Sequence, residues 1–83
     1  MYEIEYSEKA ERFLDKLDHK ERERIIKALE RIRIRPEHFI EKLVGEEGFK
    51  FRVGNYRAFL DLDNGKLIIL VLEIGHRKNV YKK

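Results

Sequence analysis

A chain of 83 residues has room for one small domain, and with 42% charged and 42% hydrophobic residues it holds enough apolar material to fold but only a thin core. The net charge of +3 fits an acidic partner without demanding one; with no cysteine, no apolar run near the roughly 20 residues of a membrane span and no signal-peptide core, we expect a cytoplasmic protein without disulfides. Abundant Glu, Lys, Arg and Ile beside a single Met resembles thermophile composition, which favours surface ion pairs.

Tyr2 to Tyr6 alternates Tyr, Glu, Ile, Glu, Tyr, the period of a half-buried strand with Tyr2, Ile4 and Tyr6 inward. Ser7 reads as an N-cap, after which Ala10, Phe13, Leu14 and Leu17 make the apolar stripe of a first helix. Asp18 restarts the pattern three residues before Glu21, a capping-box-like spacing, and Ile25, Ile26, Leu29 and Ile32 form a second stripe that ends before Pro36. The spacing therefore predicts a helical hairpin.

Residues 35–47 carry Pro36 and Gly45 and mix apolar residues with charges, which reads as a connector partly packed on the core. Beyond Gly48 three strands are predicted, at about 49–53, 56–62 and 67–74, with turns at Gly54-Asn55 and Asp63-Asn64-Gly65. They make an antiparallel meander. Leu67 to Ile74 is apolar at nearly every position, as expected of a central strand. The expected fold class is α+β: an N-terminal strand, a helical hairpin and a three-stranded meander forming one twisted sheet, with both helices on one face and the other face open.

Charge is distributed unevenly. Residues 48–83 hold eight Lys or Arg against three acids, an excess of +5 that exceeds the whole-chain value. Because strand residues alternate, Lys50 and Arg52 project together on one side while Phe49, Phe51 and Val53 project on the other. Lys50, Arg52, Arg57, His76 and Arg77, with Tyr81 nearby, suit a polyanion with exposed bases: cations position the phosphates and an aromatic ring stacks on a base.

The segments YEIEYSEKAERFLDKL, FKFRVGNYRAFLDL and IGHRKNVY together resemble the RelE branch of the RelE/ParE toxin superfamily over essentially the whole chain. The ordered pair RVGNYR and GHRKNVY carries most of that resemblance. It implies a single RelE-like toxin domain over residues 1–83, an mRNA endonuclease acting in the decoding site of a 70S-type ribosome and held inactive by a RelB-like antitoxin. It also implies that Lys50 and Arg52 fill the two basic places before the turn, Arg57 the arginine after it, Arg77 the arginine at the last strand's end and Tyr81 the terminal tyrosine. Arg52 stands where relatives can have lysine, which leaves the general base open.

RNA supplies its own nucleophile, the 2′-OH. An enzyme need only help deprotonate it, stabilise charge on the phosphate and protonate the 5′-oxygen, without metal or cofactor. Arginine suits the second task because its planar fork grips phosphate oxygens and stays protonated; that role falls to Arg57, with Arg77 near the leaving group. Lys50 is the expected base, on the condition that burial or neighbouring cations favour its neutral form, Tyr81 the expected stacker, and His76 an alternative acid or base if its ring enters the cleft. Lys78, Lys82 and Lys83 read as solvated charges that attract RNA at long range.

Each has a plainer reading. Lys50 and Arg52 can be solvated strand residues, Arg57 the partner of Asp61 or Glu73, His76 a strand-end histidine and Tyr81 an aromatic closing the core. His19, His38 and His76 show no ligand spacing, no glycine-rich phosphate loop occurs, Ser7 is spoken for as a cap, and Glu46 and Glu47 read as a solvated loop. Two other functions fit the same fold: a ParE-like toxin that inhibits gyrase without cleaving anything, and a co-repressor module acting through its antitoxin. In the toxin readings an antitoxin helix or strand is expected across the helices or a sheet edge.

Overall fold

The structure, a computed structural model, describes residues 1–76. Arg77, Lys78, Tyr81, Lys82 and Lys83 lie outside the described residues.

Strand β1, Glu3–Tyr6, leads directly into helix α1, Glu8–Asp15, because the extended Ser7 accepts the Ala10 N–H on its Oγ at 3.0 Å. The same hydroxyl donates to the Leu72 carbonyl at 2.7 Å, so the cap also pins the start of α1 to the last strand. Helix α2, His19–Arg31, begins at Asp18, whose carboxylate accepts the Glu21 N–H at 3.0 Å. From α2 the Arg22 guanidinium donates to the Leu14 and Leu17 carbonyls at 3.0 and 3.1 Å, satisfying the end of α1 and closing the hairpin. No helix among the described residues is long and apolar enough to cross a membrane.

After a short 3-10 turn at Pro36–His38 come β2, Glu41–Lys42, β3, Phe49–Val53, β4, Tyr56–Asp63, and β5, Ile68–His76. The sheet order is β1-β5-β4-β3-β2. Strands β3, β4 and β5 form the antiparallel meander, and β1 adds to β5 in parallel after the helical crossover. The α+β class holds, with one strand more than expected: residues 35–47 do not merely connect, because Glu41 and Lys42 pair with Lys50 and Phe49 at the sheet edge. Two charged residues carry no apolar alternation, so nothing in their hydropathy marks them as a strand.

The last strand also begins and ends later than its pattern suggests. Leu67 adopts a left-handed conformation, φ 57°, in the turn, and pairing starts at Ile68 and runs to His76. At Gly54 the two-residue turn between β3 and β4 needs a positive φ, 58°, and a Cβ there would run into the Arg24 guanidinium.

One core lies between the hairpin and one sheet face. Ala10, Leu14, Ile25, Leu29 and Ile32 from the helical side meet Tyr56, Ala58, Leu60, Ile69, Val71 and Ile74 from the sheet. Val71 and Ile74 are three apart and would face opposite ways in a regular strand. A bulge prevents this: Phe59 pairs with Glu73 and Leu60 with Val71, so Leu72 is the extra residue, its carbonyl taken by Ser7. The bulge turns both apolar side chains to the core and leaves Arg57 and Gly75 paired on the other face.

Candidate functional site

The open face is built by strand parity. Phe51 and Val53 pack toward the core, so Lys50 and Arg52 on β3 point away from the helices. Their cross-strand partners share that face: Arg57 lies opposite Arg52, and Phe59 opposite Lys50. On the other side of β4, Arg57 faces Gly75. Arg57 is only 8% exposed, which is rare for an arginine.

The segment before β3 closes the site. Pro36 is buried, its carbonyl accepts the Phe39 and Ile40 N–H groups at 2.9 and 3.2 Å, and Ile40 packs on the core. This fixes Phe39 and Glu41 beside the basic strand. Phe39, Glu41, Lys50, Arg52 and Arg57 together line a pocket of about 260 Å³. Among the described residues three cations face one carboxylate there, a formal +2, and the Glu41 Oε1 lies 3.6 Å from the Lys50 Nζ. Phe39 remains 50% exposed at the mouth, so its ring is available to a planar ligand.

The pocket suits an anion of phosphate type, because two guanidinium forks can bind several oxygens and the ammonium adds a third donor. An exposed ring beside them suits a base attached to that phosphate.

His76 is not brought there. It pairs with the core-facing Tyr56, which places it on the helix side of β5, its ring 4.9 Å from the Tyr56 ring and tilted by 36°. Phe13 meets Tyr56 edge-on at 6.0 Å. Burial pushes the Tyr56 hydroxyl above its ordinary pKa, with a further rise from the Glu21 carboxylate that it hydrogen-bonds and from Asp18, partly opposed by Arg24.

Other candidates separate similarly. Glu73 lies 3.5 Å from Lys9 of α1. Glu47 lines a different groove, of about 560 Å³, with Glu5, Asp61 and Asp63 around Ile68 and Leu70, at the opposite end of the open face. Phe39 and Glu41 are the site residues that sequence reasoning missed, because both sit in a segment without periodicity. A Pro-started turn followed by an acid two residues past an aromatic offered no signal tied to β3.

Comparisons with known proteins bear on the chain as a whole. Residues 4–81 match the model of a family described as ParE toxin of the type II toxin-antitoxin system. Among solved structures, the RelBE2 toxin-antitoxin complex of Mycobacterium tuberculosis contains a chain similar to this one, with TM-score 0.82, 25% identity, and coverage of 92% of this chain and 98% of that one. The intact Escherichia coli RelBE toxin-antitoxin complex gives TM-score 0.73 at 26% identity, covering 92% and 96%. The archaeal RelE-RelB complex of Pyrococcus horikoshii, at 17% identity, shares the fold, with TM-score 0.75 over 95% of this chain and 98% of that one. No curated protein sequence matches the chain.

Proposed function

The chain belongs to the ParE toxin family of type II toxin-antitoxin systems, and from that premise we propose that it is a ribosome-dependent mRNA endonuclease of RelE type, neutralised by a RelB-like antitoxin. The observation that carries this reading is the cross-strand pair Arg52 and Arg57 with Lys50 around one pocket, the Arg57 guanidinium being nearly buried. A surface used only for docking needs no buried arginine beside an open cavity.

In this reading mRNA enters with the scissile phosphate against Arg57 and Arg52. Their forks hold the non-bridging oxygens and stabilise the added charge as the 2′-oxygen attacks phosphorus and the 5′-oxygen leaves. Phe39 stacks on a neighbouring base. Arg77 and Tyr81, assigned by the resemblance, supply a further phosphate contact and a second stacking ring; Lys78, Lys82 and Lys83 add long-range attraction. His76 takes no part in the proton transfers. The antitoxin partner is supported by the RelB chains in the complexes of the similar toxins.

The family model's own description favours a second reading, a ParE-like toxin that inhibits gyrase. A cell-free translation reaction with a defined mRNA, run beside a gyrase supercoiling assay, separates the two. Cuts in ribosome-bound mRNA with unaffected supercoiling are the expected result. Inhibited supercoiling with intact mRNA would replace the nuclease reading.

A further inference from the structure

The pocket holds one feature that phosphate binding does not explain. Glu41 is the only carboxylate among the described residues that line it, and a negative charge beside Lys50, Arg52 and Arg57 repels the anion those cations attract. An ordinary surface ion pair needs no such placement, since exposed pairs add little to stability wherever they sit. The carboxylate is therefore better explained by chemistry than by binding.

The donor inventory points the same way. Arginine hardly gives up its proton, and an ammonium donates without accepting; a carboxylate accepts. Among the described pocket residues, then, Glu41 is the group equipped to take a proton and Lys50 the group equipped to give one. Their 3.6 Å separation is longer than a closed hydrogen bond, which leaves both heads free to meet substrate oxygens. The Glu41 side chain is 74% exposed and that of Lys50 31%, so the acceptor stands at the mouth and the donor deeper. The pairing of β2 with β3 places Glu41 directly opposite Lys50 and fixes this order.

We propose that Glu41 and Lys50 form the base and acid of the cleavage reaction, reversing the sequence-based expectation that Lys50 is the base. This rests on the endonuclease reading. Glu41 takes the proton of the 2′-OH as the 2′-oxygen bonds to phosphorus. The bond from phosphorus to the 5′-oxygen breaks, and the Lys50 ammonium protonates that oxygen. The products are a 2′,3′-cyclic phosphate and a 5′-hydroxyl end. Transfer of the acquired proton from Glu41 to the neutral Lys50 across the short gap restores both groups without an external proton. Arg52 and Arg57 keep the charge-stabilising role throughout.

The test is single-turnover cleavage of ribosome-bound mRNA by wild type, Glu41→Gln and Glu41→Asp, across a pH series. A parallel anisotropy titration uses an RNA carrying a 2′-deoxy group at the cut site. Among the described residues the charged groups facing Glu41 are Lys50 and Arg52 on β3 and Arg57 on β4, all cations. Glu41→Gln should cut about 10²–10⁴-fold more slowly and lose the rise of rate with pH on the acid side, with RNA affinity equal or tighter. Glu41→Asp should recover part of the rate, and Glu46→Gln should behave as wild type. Cleavage by Glu41→Gln within about threefold of wild type, with an unchanged pH profile, would overturn the dyad while leaving the nuclease reading intact. A wild-type protein that cuts nothing would overturn the nuclease reading, and the dyad with it.

Discussion

The two ends of the open face carry opposite charge although strand β4 runs through both. Among the described residues, at one end Lys50, Arg52 and Arg57 face Glu41; at the other Glu5, Glu47, Asp61 and Asp63 face Lys66, a formal −3 from four acids and one base. Strand β4 alone reverses sign along its length, with Arg57 and Asp61 on the same face four residues apart. An anionic chain is therefore attracted to one end and repelled from the other, and under the proposed function that division would orient a strand of RNA on the face. Net charge, a modest +3, conceals this division.

The largest expected effect comes from breaking the cationic end. Arg57→Ala should reduce mRNA cleavage by at least about 10²-fold, the usual cost of removing one preorganised donor to developing charge. Arg57→Gln, which keeps more of the buried volume, should lose activity similarly while its thermal melt stays near wild type. Retained cleavage in a folded Arg57→Gln protein would mean that the pocket is not where phosphate is handled.

A second substitution sharpens the contrast. Asp61→Lys moves cationic character into the acidic end, and single-stranded RNA should then bind more tightly, with the slope of log K against log salt steeper by about 0.7 per added phosphate contact. Arg52→Ala should change that slope by the same amount in the other direction. Unchanged slopes in both would show that the division of charge does not guide RNA.

The helix-side ring cluster belongs to neither end and serves as a control. Burial raises the pKa of Tyr56 and of Tyr6, Tyr6 also being raised by Glu30, from an ordinary 10.0. A group whose folded pKa is raised binds its proton more tightly when folded. Its contribution is complete below the unfolded pKa and lost as pH climbs through the folded one. Stability should thus hold up to about pH 10 and fall above it, and Tyr56→Phe should reduce that alkaline loss in chemical denaturation series. An alkaline decline of the same size in Tyr56→Phe would assign it elsewhere. Smallest is Leu67→Gly in the turn bordering the acidic groove: relief of the left-handed backbone should raise stability by about 1 kcal/mol.

Much of this molecule was legible because it follows local rules. Ser7 and Asp18 cap the helices that their spacing to Ala10 and Glu21 suggests. The alternation in Phe49 to Val53 puts Lys50 and Arg52 on the face opposite the core. What escaped depends on partners distant in sequence. Glu41 and Lys42 become a strand only through β3, and Leu67 leaves the strand because its backbone must turn. The bulge at Leu72 answers a hydroxyl on Ser7, 65 residues away. His76 could serve as acid or base only with its ring in the cleft; past the bulge, parity sends it to Tyr56 instead.

The most direct test of the central claim maps cuts by primer extension on ribosome-bound mRNA with wild type, Arg57→Gln and Asp61→Ala. The charge division predicts discrete cuts for wild type and Asp61→Ala and none for Arg57→Gln. Equal cutting by Arg57→Gln, or loss of cutting in Asp61→Ala alone, would contradict it and move the chemistry to the other end of the sheet.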